Sequence, residues 1–404
     1  MNQIEVFQQA IDRAGPVAPI ALGPNAGLLV ADPACIHHVL KSASYGKGAA
    51  WQPMRRLLFP QSGALSANDD LASWRRFRAP VTRSLAREAI QRLVEPMAAV
   101  VDATLSEWPV DVPFELSAAC ARIVQKLFVL VFFGSGISEE DSERVGTALV
   151  AVLRLIASEQ HGGAMQEAVE EETAALRHVL QRLVQGSSRG IVASLTELDP
   201  VAGSEILLNL FLAGYESASL ALGWTLSLIA AHPEVEQRLL TEMERHGPEA
   251  KPTLDTLQQW PELGAALDEG MRLYTPLWAL PREAFVADTL PSGHPVAAGT
   301  IVMLSVLHMH RLPSIWGDDA AAFRPERFLD PATNPAARDS RVFLPFGAGM
   351  RICPAELLSR AEMMICVHRI LHRFSMRLLT PPQWEPAFTL RPLNGISVML
   401  SPRC

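Results

Sequence analysis

The chain has 404 residues, of which 49% are hydrophobic, so it can bury a large core. Its 35 Lys and Arg residues are outnumbered by 43 Asp and Glu residues, which gives a formal charge of -8 and argues against nucleic acid or an anionic membrane as a partner. The five cysteines are an odd number and contain no Cys-x-x-Cys pair. This pattern argues against a disulfide framework and against a structural zinc site.

No linker, low-complexity tract or fixed-period repeat divides the chain, so we expect one domain over residues 1–404. The first residues, Met1 to Glu5, have neither a basic region nor an apolar core. The sequence therefore predicts no signal peptide and no membrane anchor, and a cytoplasmic protein. One stretch, Ile206 to Ala231, is apolar enough to span a membrane. Because its flanks lack cationic and aromatic anchors, we favour a helix buried inside a globular domain.

The predicted elements begin with a hairpin, since two short apolar runs flank the turn sequence Gly23-Pro24-Asn25. Helical periodicity then dominates to about residue 231. It is clearest over Trp74–Leu85, Phe114–Phe133 and Glu167–Val184. Strand signals return after Pro276, over Thr300–Leu307 and Gly395–Leu400. The prediction is a mainly α fold with a small β region built from about residues 17–45, 276–310 and 388–400.

A long central helix is predicted from Ser204 to the break at His232, roughly 40 Å at 1.5 Å per residue. Its middle, Ala213-Gly214-Tyr215-Glu216-Ser217, places polar groups in an apolar rod, where they cost free energy unless they have partners or a chemical role. A packing glycine beside a satisfied polar pair is one interpretation of this segment. A serine there can also bond back to the preceding turn and bend the helix.

The segment from Phe343 to Ala355 leads directly into an amphipathic helical pattern. Pro354 suits the first position of that helix, which would make Cys353 its cap. The positive helix end and Arg351 would then favour the thiolate, the form that binds iron. The remaining cysteines are interpreted as small hydrophobic residues: Cys35, Cys120, Cys366 and Cys404.

This segment resembles the haem-ligand signature of the cytochrome P-450 family, which reads Phe-x-x-Gly-x-Arg-x-Cys-x-Gly/Ala. The matching residues are Phe346, Gly349, Arg351, Cys353 and Ala355. The resemblance implies the cytochrome P-450 fold, a helix-rich triangular prism. It also implies haem b between the central helix and the helix after the cysteine, with Cys353 as the axial ligand of the iron.

Two further motifs of the family concern arginines. Glu269-x-x-Arg272, followed by Arg327, is similar to the Glu-Arg-Arg triad that locks the haem-binding core. Trp74-x-x-x-Arg78 is similar to the element that contacts the haem propionates. Two other arginines, Arg282 and Arg351, occupy positions that resemble propionate-binding residues, and the planar fork of arginine suits a carboxylate.

The middle of the central helix is similar to the family's oxygen-activation motif, Ala-Gly-x-Glu/Asp-Thr. Ala213, Gly214 and Glu216 match it, whereas Ser217 replaces the usual threonine and bulky Tyr215 precedes the acid. The resemblance implies that protons arrive through Glu216, Ser217 and ordered water while electrons reduce the iron. The thiolate ligand then helps cleave the O–O bond.

The implied activity is an oxidoreductase that inserts one oxygen atom of O2 into a hydrophobic small molecule, in secondary metabolism or in lipid or terpenoid modification. No flavin domain is recognisable, so electrons from NAD(P)H would come through a ferredoxin or flavodoxin and its reductase. The protein is expected to be a monomer. Cationic residues near the ligand loop predict a landing patch for an acidic donor. They are Arg75, Arg76, Arg351, Arg360, His368, Arg369, His372 and Arg373.

By family position, the substrate pocket is expected to be mainly apolar, with Asn209 as a polar contact. It would draw on residues 48–65, 152–163, 277–280 and 393–394, and on Asn209, Leu212, Ala213 and Ser217. Two alternatives use the same haem: a peroxygenase or non-oxygenating isomerase or dehydratase, and a non-catalytic haem sensor. The Glu216-Ser217 pair argues for O2 activation.

Two histidine pairs have spacings that suit other roles. His368 and His372 are four apart, but no third ligand lies nearby in the sequence, so no metal site is predicted there. His308 and His310, two apart in a predicted strand, would point the same way and are interpreted as structural.

Overall fold

The computed structural model describes residues 2–22, 25–52, 69–134, 163–186, 190–246, 252–330 and 334–403, together with residues 55, 59, 140 and 145. The α-helices in these ranges are α1 Gln3–Ala14, α2 Pro33–Lys41, α3 Leu71–Ser84, α4 Arg87–Leu105, α5 Leu116–Phe133, α6 Gly163–Gly186, α7 Val192–Leu195, α8 Pro200–Ala231, α9 Pro233–His246, α10 Leu254–Leu257, α11 Pro261–Leu273, α12 Val306–Met309, α13 Pro313–Trp316 and α14 Glu356–Arg373. The strands are β1 Val17–Leu22, β2 Asn25–Val30, β3 Tyr45–Gly46, β4 Pro113–Glu115, β5 Leu280–Ala284, β6 Asp288–Thr289, β7 Pro295–Val296, β8 Ile301–Leu304, β9 Phe374–Leu378, β10 Trp384–Pro386, β11 Leu390–Pro392 and β12 Ser397–Pro402.

The helix α8 forms the centre of the helical body, where it packs against α5, α6, α11 and α14. It begins at Pro200, four residues before the predicted Ser204, because Asp199 caps it by accepting the backbone N–H groups of Val201 and Ala202. Proline suits this first position, since its missing N–H would have no partner there. The helix ends at Ala231, before His232, as predicted.

Two helices, α5 and α8, are long and apolar enough to cross a membrane, with mean hydropathies of 1.8 and 1.4. Within the most apolar windows, 61% of α5 and 56% of α8 lie buried among other elements. The core helix of a globular protein has the same composition, so these two helices are weak evidence for spans.

The main sheet has the strand order β1-β2-β8-β5-β3. Its first two strands form the predicted antiparallel hairpin, in which Val17 pairs with Val30, and β2 runs parallel to β8. The predicted strand over residues 300–307 is too long. It ends at Leu304, because the chain turns into α12 directly after Ser305, whose backbone N–H makes the last bond to Val30.

The C-terminal strands lie outside this sheet, so the prediction that residues 388–400 join the same β region is wrong in this respect. Strand β12 instead pairs with β9 and β4 in a three-stranded sheet, and β10 pairs with β11 as a separate hairpin. The last two residues of strand β4, Phe114 and Glu115, fall within the stretch predicted as helix, and α5 starts at Leu116. Pairing partners far away in the sequence therefore decide where these strands lie.

Candidate functional site

The segment before α14 forms a tight loop around Cys353. The backbone N–H of Cys353 donates to the carbonyl oxygen of Phe346 at 2.9 Å, which closes the loop. Gly349 has a φ of 71°, and a Cβ there would overlap the carbonyl oxygen of Leu40 at the end of α2. A side chain at position 349 would therefore push the loop away from α2, and the loop requires glycine there.

Cys353 is half-buried and forms no disulfide. The prediction that Cys353 caps the helix is wrong, because residues 354 and 355 form a turn and Ala355 is the cap of α14. Burial raises the pKa of the Cys353 thiol, and the backbone N–H of Ala355 and the charge of Arg78 oppose this rise. Arg78, rather than Arg351, is the cation that acts on the sulfur. Since a metal ion deprotonates a coordinating thiol outright, this buried sulfur suits a metal ligand better than a free thiolate.

Trp74 lies near two arginines, Arg78 and Arg351, for which the family resemblance implies contacts with the haem propionates. The guanidinium carbons of Arg78 and Arg351 lie 5.7 and 5.3 Å from its ring centroid. Arg78 also donates to the backbone oxygen of Ile352 at 2.7 Å. These contacts fix α3 against the cysteine loop, so the motifs at 74–78 and 346–355 meet in one site.

Three cations beside this site, the buried Lys47 and Arg282 and the half-buried Arg351, lie near one carboxylate, Asp69. Burial, Arg282 and Arg351 lower the pKa of Lys47, and Asp69 opposes them. Burial and Arg351 lower the pKa of Arg282 to about 10. Asp69 lies 3.6 Å from Arg351 and accepts the backbone N–H groups of residues 47 and 48. Lys47, Arg282 and Arg351 thus carry more positive charge than Asp69 neutralises, and two haem propionates would balance that excess.

Lys47 and Asp69 were not among the predicted site residues. Lysine in the otherwise uncharged run from Tyr45 to Trp51 was the available signal, and its Nζ lies 3.9 Å from the ring centroid of Trp51. Burying three cations near a single carboxylate costs free energy, so a further anion is the expected complement. The donor set therefore fits haem, since it offers one free cysteine sulfur for the iron and a cluster of cations for the propionates.

The Glu269, Arg272 and Arg327 side chains meet as expected from the motif. Arg272 donates to both carboxylate oxygens of Glu269 at 2.6 and 2.7 Å, and the Nε of Arg327 donates to Glu269 at 3.3 Å. Arg272 also donates to the backbone oxygens of residues 310, 320 and 322. The triad thus ties α11 to the segment that precedes the cysteine loop.

The residues of the motif in the middle of α8, 213–217, have different surroundings. Ala213 is exposed, and Gly214 packs so closely on Phe128 of α5 that a Cβ would overlap the ring. The hydroxyl of Ser217 donates to the carbonyl oxygen of Ala213 at 2.7 Å, the predicted bond to the preceding turn. Glu216 forms an ion pair with Arg391 of β11, a residue that the sequence analysis did not single out.

The expected pocket segments are only partly described: residues 53, 54, 56–58, 60–65 and 152–162 lie outside the described residues. Asn209 is buried within α8. Three apolar side chains near the β10–β11 hairpin are exposed, namely Leu277 at 36%, Phe388 at 44% and Leu393 at 45%. Exposed apolar side chains that lie together are typical of contacts for a hydrophobic ligand.

Half of the predicted basic patch is used internally. His368 is buried and stacks on Trp260 with ring centroids 4.3 Å apart, and Arg360 pairs with Asp268 and Glu356. Arg351 faces the cation cluster, and Arg369 lies 3.6 Å from Asp102. Arg75 and Arg76 remain exposed on α3, beside the residues that contact the cysteine loop, and His372 and Arg373 are exposed at the end of α14.

The other histidines have structural contacts. His308 lies in α12 and bonds to the hydroxyl of Ser305, whereas the Nε2 of His310 accepts the backbone N–H of Leu344. Because residue 308 is helical, the two rings do not share a direction as predicted. Over the part of the chain that the structure describes, no group of three His, Cys, Asp or Glu side chains could hold a metal ion.

Comparisons with known proteins identify the family. A family model described as Cytochrome P-450 matches residues 164–398. Cytochrome P-450 714C2 of Oryza sativa subsp. japonica is 26% identical over 413 residues, covering 92% of this chain and 77% of that protein. Putative cytochrome P-450 132 of Mycobacterium bovis is 26% identical over 408 residues, covering 92% and 87%.

A solved structure supports the fold. The crystal structure of a mutant cytochrome P-450DA haem domain matches 99% of this chain and 93% of that chain, with a TM-score of 0.88 at 16% sequence identity. The predicted fold is therefore confirmed. With the family model matching more than half of its residues, the chain belongs to the cytochrome P-450 family and is a haem-thiolate monooxygenase.

Proposed function

We propose that this monooxygenase hydroxylates or epoxidises a hydrophobic small molecule in secondary metabolism or in lipid or terpenoid modification. The observation that carries the proposal is the group of exposed apolar side chains, Leu277, Phe388 and Leu393, around the hairpin that contacts α8. An apolar substrate would cover these side chains, and about 25 cal/mol per Å2 of apolar area removed from water would favour its binding.

Haem, when bound, supplies the redox centre at which O2 is activated. Cys353 would hold its iron from one side. Lys47, Arg282 and Arg351 would hold its propionates. Ser217 and Glu216 are the residues of α8 that would hold and move protons, since they are the hydroxyl and carboxyl groups of the matched motif.

We further propose that electrons from NAD(P)H reach the site through an acidic ferredoxin or flavodoxin and its reductase. Arg75 and Arg76, exposed beside the cysteine loop, are the cations that would attract such a donor, because charge complementarity steers association. A single-domain, monomeric and cytoplasmic protein remains our expectation.

The first test uses the purified protein loaded with haem. Its reduced carbon monoxide complex should have the absorption spectrum of a thiolate ligand, and Cys353→Ala should abolish that spectrum. A screen of terpenoids and fatty acids should then find compounds that change the spin state of the iron. An imidazole-type spectrum, or no effect of Cys353→Ala, would contradict the assignment.

The second test separates the alternatives that share the fold. With a reduced ferredoxin and isotopically labelled O2, a compound found in the screen should gain one labelled oxygen atom. A product formed only with hydrogen peroxide would instead indicate a peroxygenase, and rearrangement or loss of water without O2 would indicate an isomerase or dehydratase. Haem binding without any turnover would favour a sensor.

A further inference from the structure

Arg391 forms an ion pair with Glu216, the acid of the motif on α8. The two side chains are only 23% and 12% exposed, so solvent screens their attraction weakly. The Nε of Arg391 also donates to the hydroxyl of Thr389 at 3.3 Å, and Thr389 is buried. The guanidinium is therefore held between a neighbouring residue of its own hairpin and the carboxylate of the central helix.

The hairpin that carries Arg391 is itself fixed to the core. The indole N–H of Trp224, on α8, donates to the backbone oxygen of Leu390 at 3.1 Å. The backbone N–H of Leu390 donates to Pro276 at 3.0 Å, and the indole N–H of Trp278 donates to Ala387 at 2.9 Å. Arg391 thus acts from a rigid support, which allows it to define one position for the Glu216 carboxylate.

This position decides what Glu216 can do for its neighbour. The Ser217 hydroxyl donates to the Ala213 carbonyl, so it needs an external proton source before it can pass a proton on. A carboxylate in an ion pair can only accept hydrogen bonds. Each proton that passes through Glu216 must therefore be taken up by a carboxylate whose position Arg391 controls.

We propose that Arg391 is a positioning residue for proton delivery, acting through Glu216. This inference rests on the proposed function. Without the guanidinium, the carboxylate is free to turn away, and fewer protons reach the reacting oxygen. Complete reduction of O2 to water takes up twice as many protons as its release as hydrogen peroxide. The share of consumed O2 that is released as peroxide therefore reports how well protons are delivered.

The test uses the haem-loaded full chain with NADPH, a plant-type ferredoxin and its reductase, and O2 as the only oxidant. Oxygen uptake and peroxide are measured for Arg391→Gln, Arg391→Lys, Glu216→Gln and the double variant Glu216→Gln/Arg391→Gln. Arg377→Gln is the matched control, an exposed arginine on strand β9 of the separate three-stranded sheet. The same variants are measured in D2O, since a solvent isotope effect reports proton transfer and a merely structural role would not change it.

We expect Arg391→Gln to lower the rate of water formation on the order of tenfold, which is a smaller loss than removal of a proton-transferring residue causes. The solvent isotope effect should become larger. Arg391→Lys should keep most of the rate of water formation. The double variant should form water no more slowly than Glu216→Gln. Multiplicative effects of the two substitutions, or an unchanged peroxide share in Arg391→Gln, would overturn the inference.

A readout independent of turnover is the thermal unfolding midpoint of the same variants. If the ion pair forms in solution, the shifts caused by Glu216→Gln and Arg391→Gln will not add in the double variant, whereas additive shifts would overturn the inference. No oxygen uptake by the unmodified protein would instead overturn the proposed function, and the inference with it.

Discussion

Arg272 and Glu269, one turn apart on α11, form a bidentate ion pair in which both side chains are fully buried. Removing one partner would leave the other as an uncompensated buried charge, at a cost of about 3–5 kcal/mol. We expect Glu269→Gln to fold poorly and to lose haem, and Arg272→Lys to be only slightly better, because lysine lacks the planar fork. Soluble yield and the unfolding midpoint measure this. As a control, Arg83→Gln breaks an exposed pair with Glu197 and should change neither.

The two left-handed glycines of the cysteine loop form a matched pair for substitution. Gly347 has a φ of 73° with open space around its Cα, whereas Gly349 has a φ of 71° and lies against Leu40. Gly347→Ala should therefore cost only the backbone strain, about 1–2 kcal/mol. Gly349→Ala should also displace the loop and lower haem occupancy, measured from the ratio of haem to protein absorbance. Equal occupancy in the two variants would contradict this account.

The cation cluster predicts opposite effects with and without haem. Lys47→Met removes one of three crowded positive charges, so the haem-free protein should unfold at a higher temperature. The haem-loaded protein should lose haem to apomyoglobin faster, since one contact to a propionate is gone. Lys126→Met, at a half-exposed lysine 3.5 Å from Glu107, should do neither. A lower melting temperature in both states would show that Lys47 has only a structural role.

Three buried histidines predict that stability falls on acidification. Burial lowers the pKa of His308 and His368 to about 4 and that of His310 to about 3. Between those values and the ordinary pKa of about 6.5, the unfolded chain binds more protons, so the free energy of unfolding falls as the pH falls. Each histidine contributes a slope of about 1.4 kcal/mol per pH unit. Urea unfolding between pH 7 and pH 4.5 measures the sum.

A substitution tests the histidine assignment directly. His368→Phe keeps a ring that can stack on Trp260 but cannot take up a proton, so it should flatten the pH dependence by one histidine's share. His294→Gln, at an exposed histidine in the turn between β6 and β7, serves as the control. A slope that His368→Phe leaves unchanged would rule out this source of the pH dependence.

Contacts between neighbours in the sequence were predictable, and contacts between distant segments were not. The bond from Ser217 to Ala213 and the pair of Glu269 with Arg272 lie within one helical turn, so helical spacing predicts them. The partner of Glu216 is Arg391, on a hairpin far along the chain, and no local pattern points to it.

The cysteine loop illustrates the same limit. Its motif identified Cys353, but the cap position and the cation that acts on the sulfur were predicted wrongly. The two residues after the cysteine turn before the helix begins, and α3 places Arg78 against the loop. Both features depend on how separate elements pack, which a one-dimensional pattern does not contain.

The two tryptophan bonds that hold the β10–β11 hairpin lie at Ala387 and Leu390, on either side of Phe388. The ring of Phe388 is half exposed and makes an edge contact with the ring of Trp51. Position 388 can therefore accept side chains of many sizes while Ala387 and Leu390 keep their hydrogen bonds. For an engineer, that makes it the first place to diversify when the aim is a different choice of molecule with an unaltered scaffold.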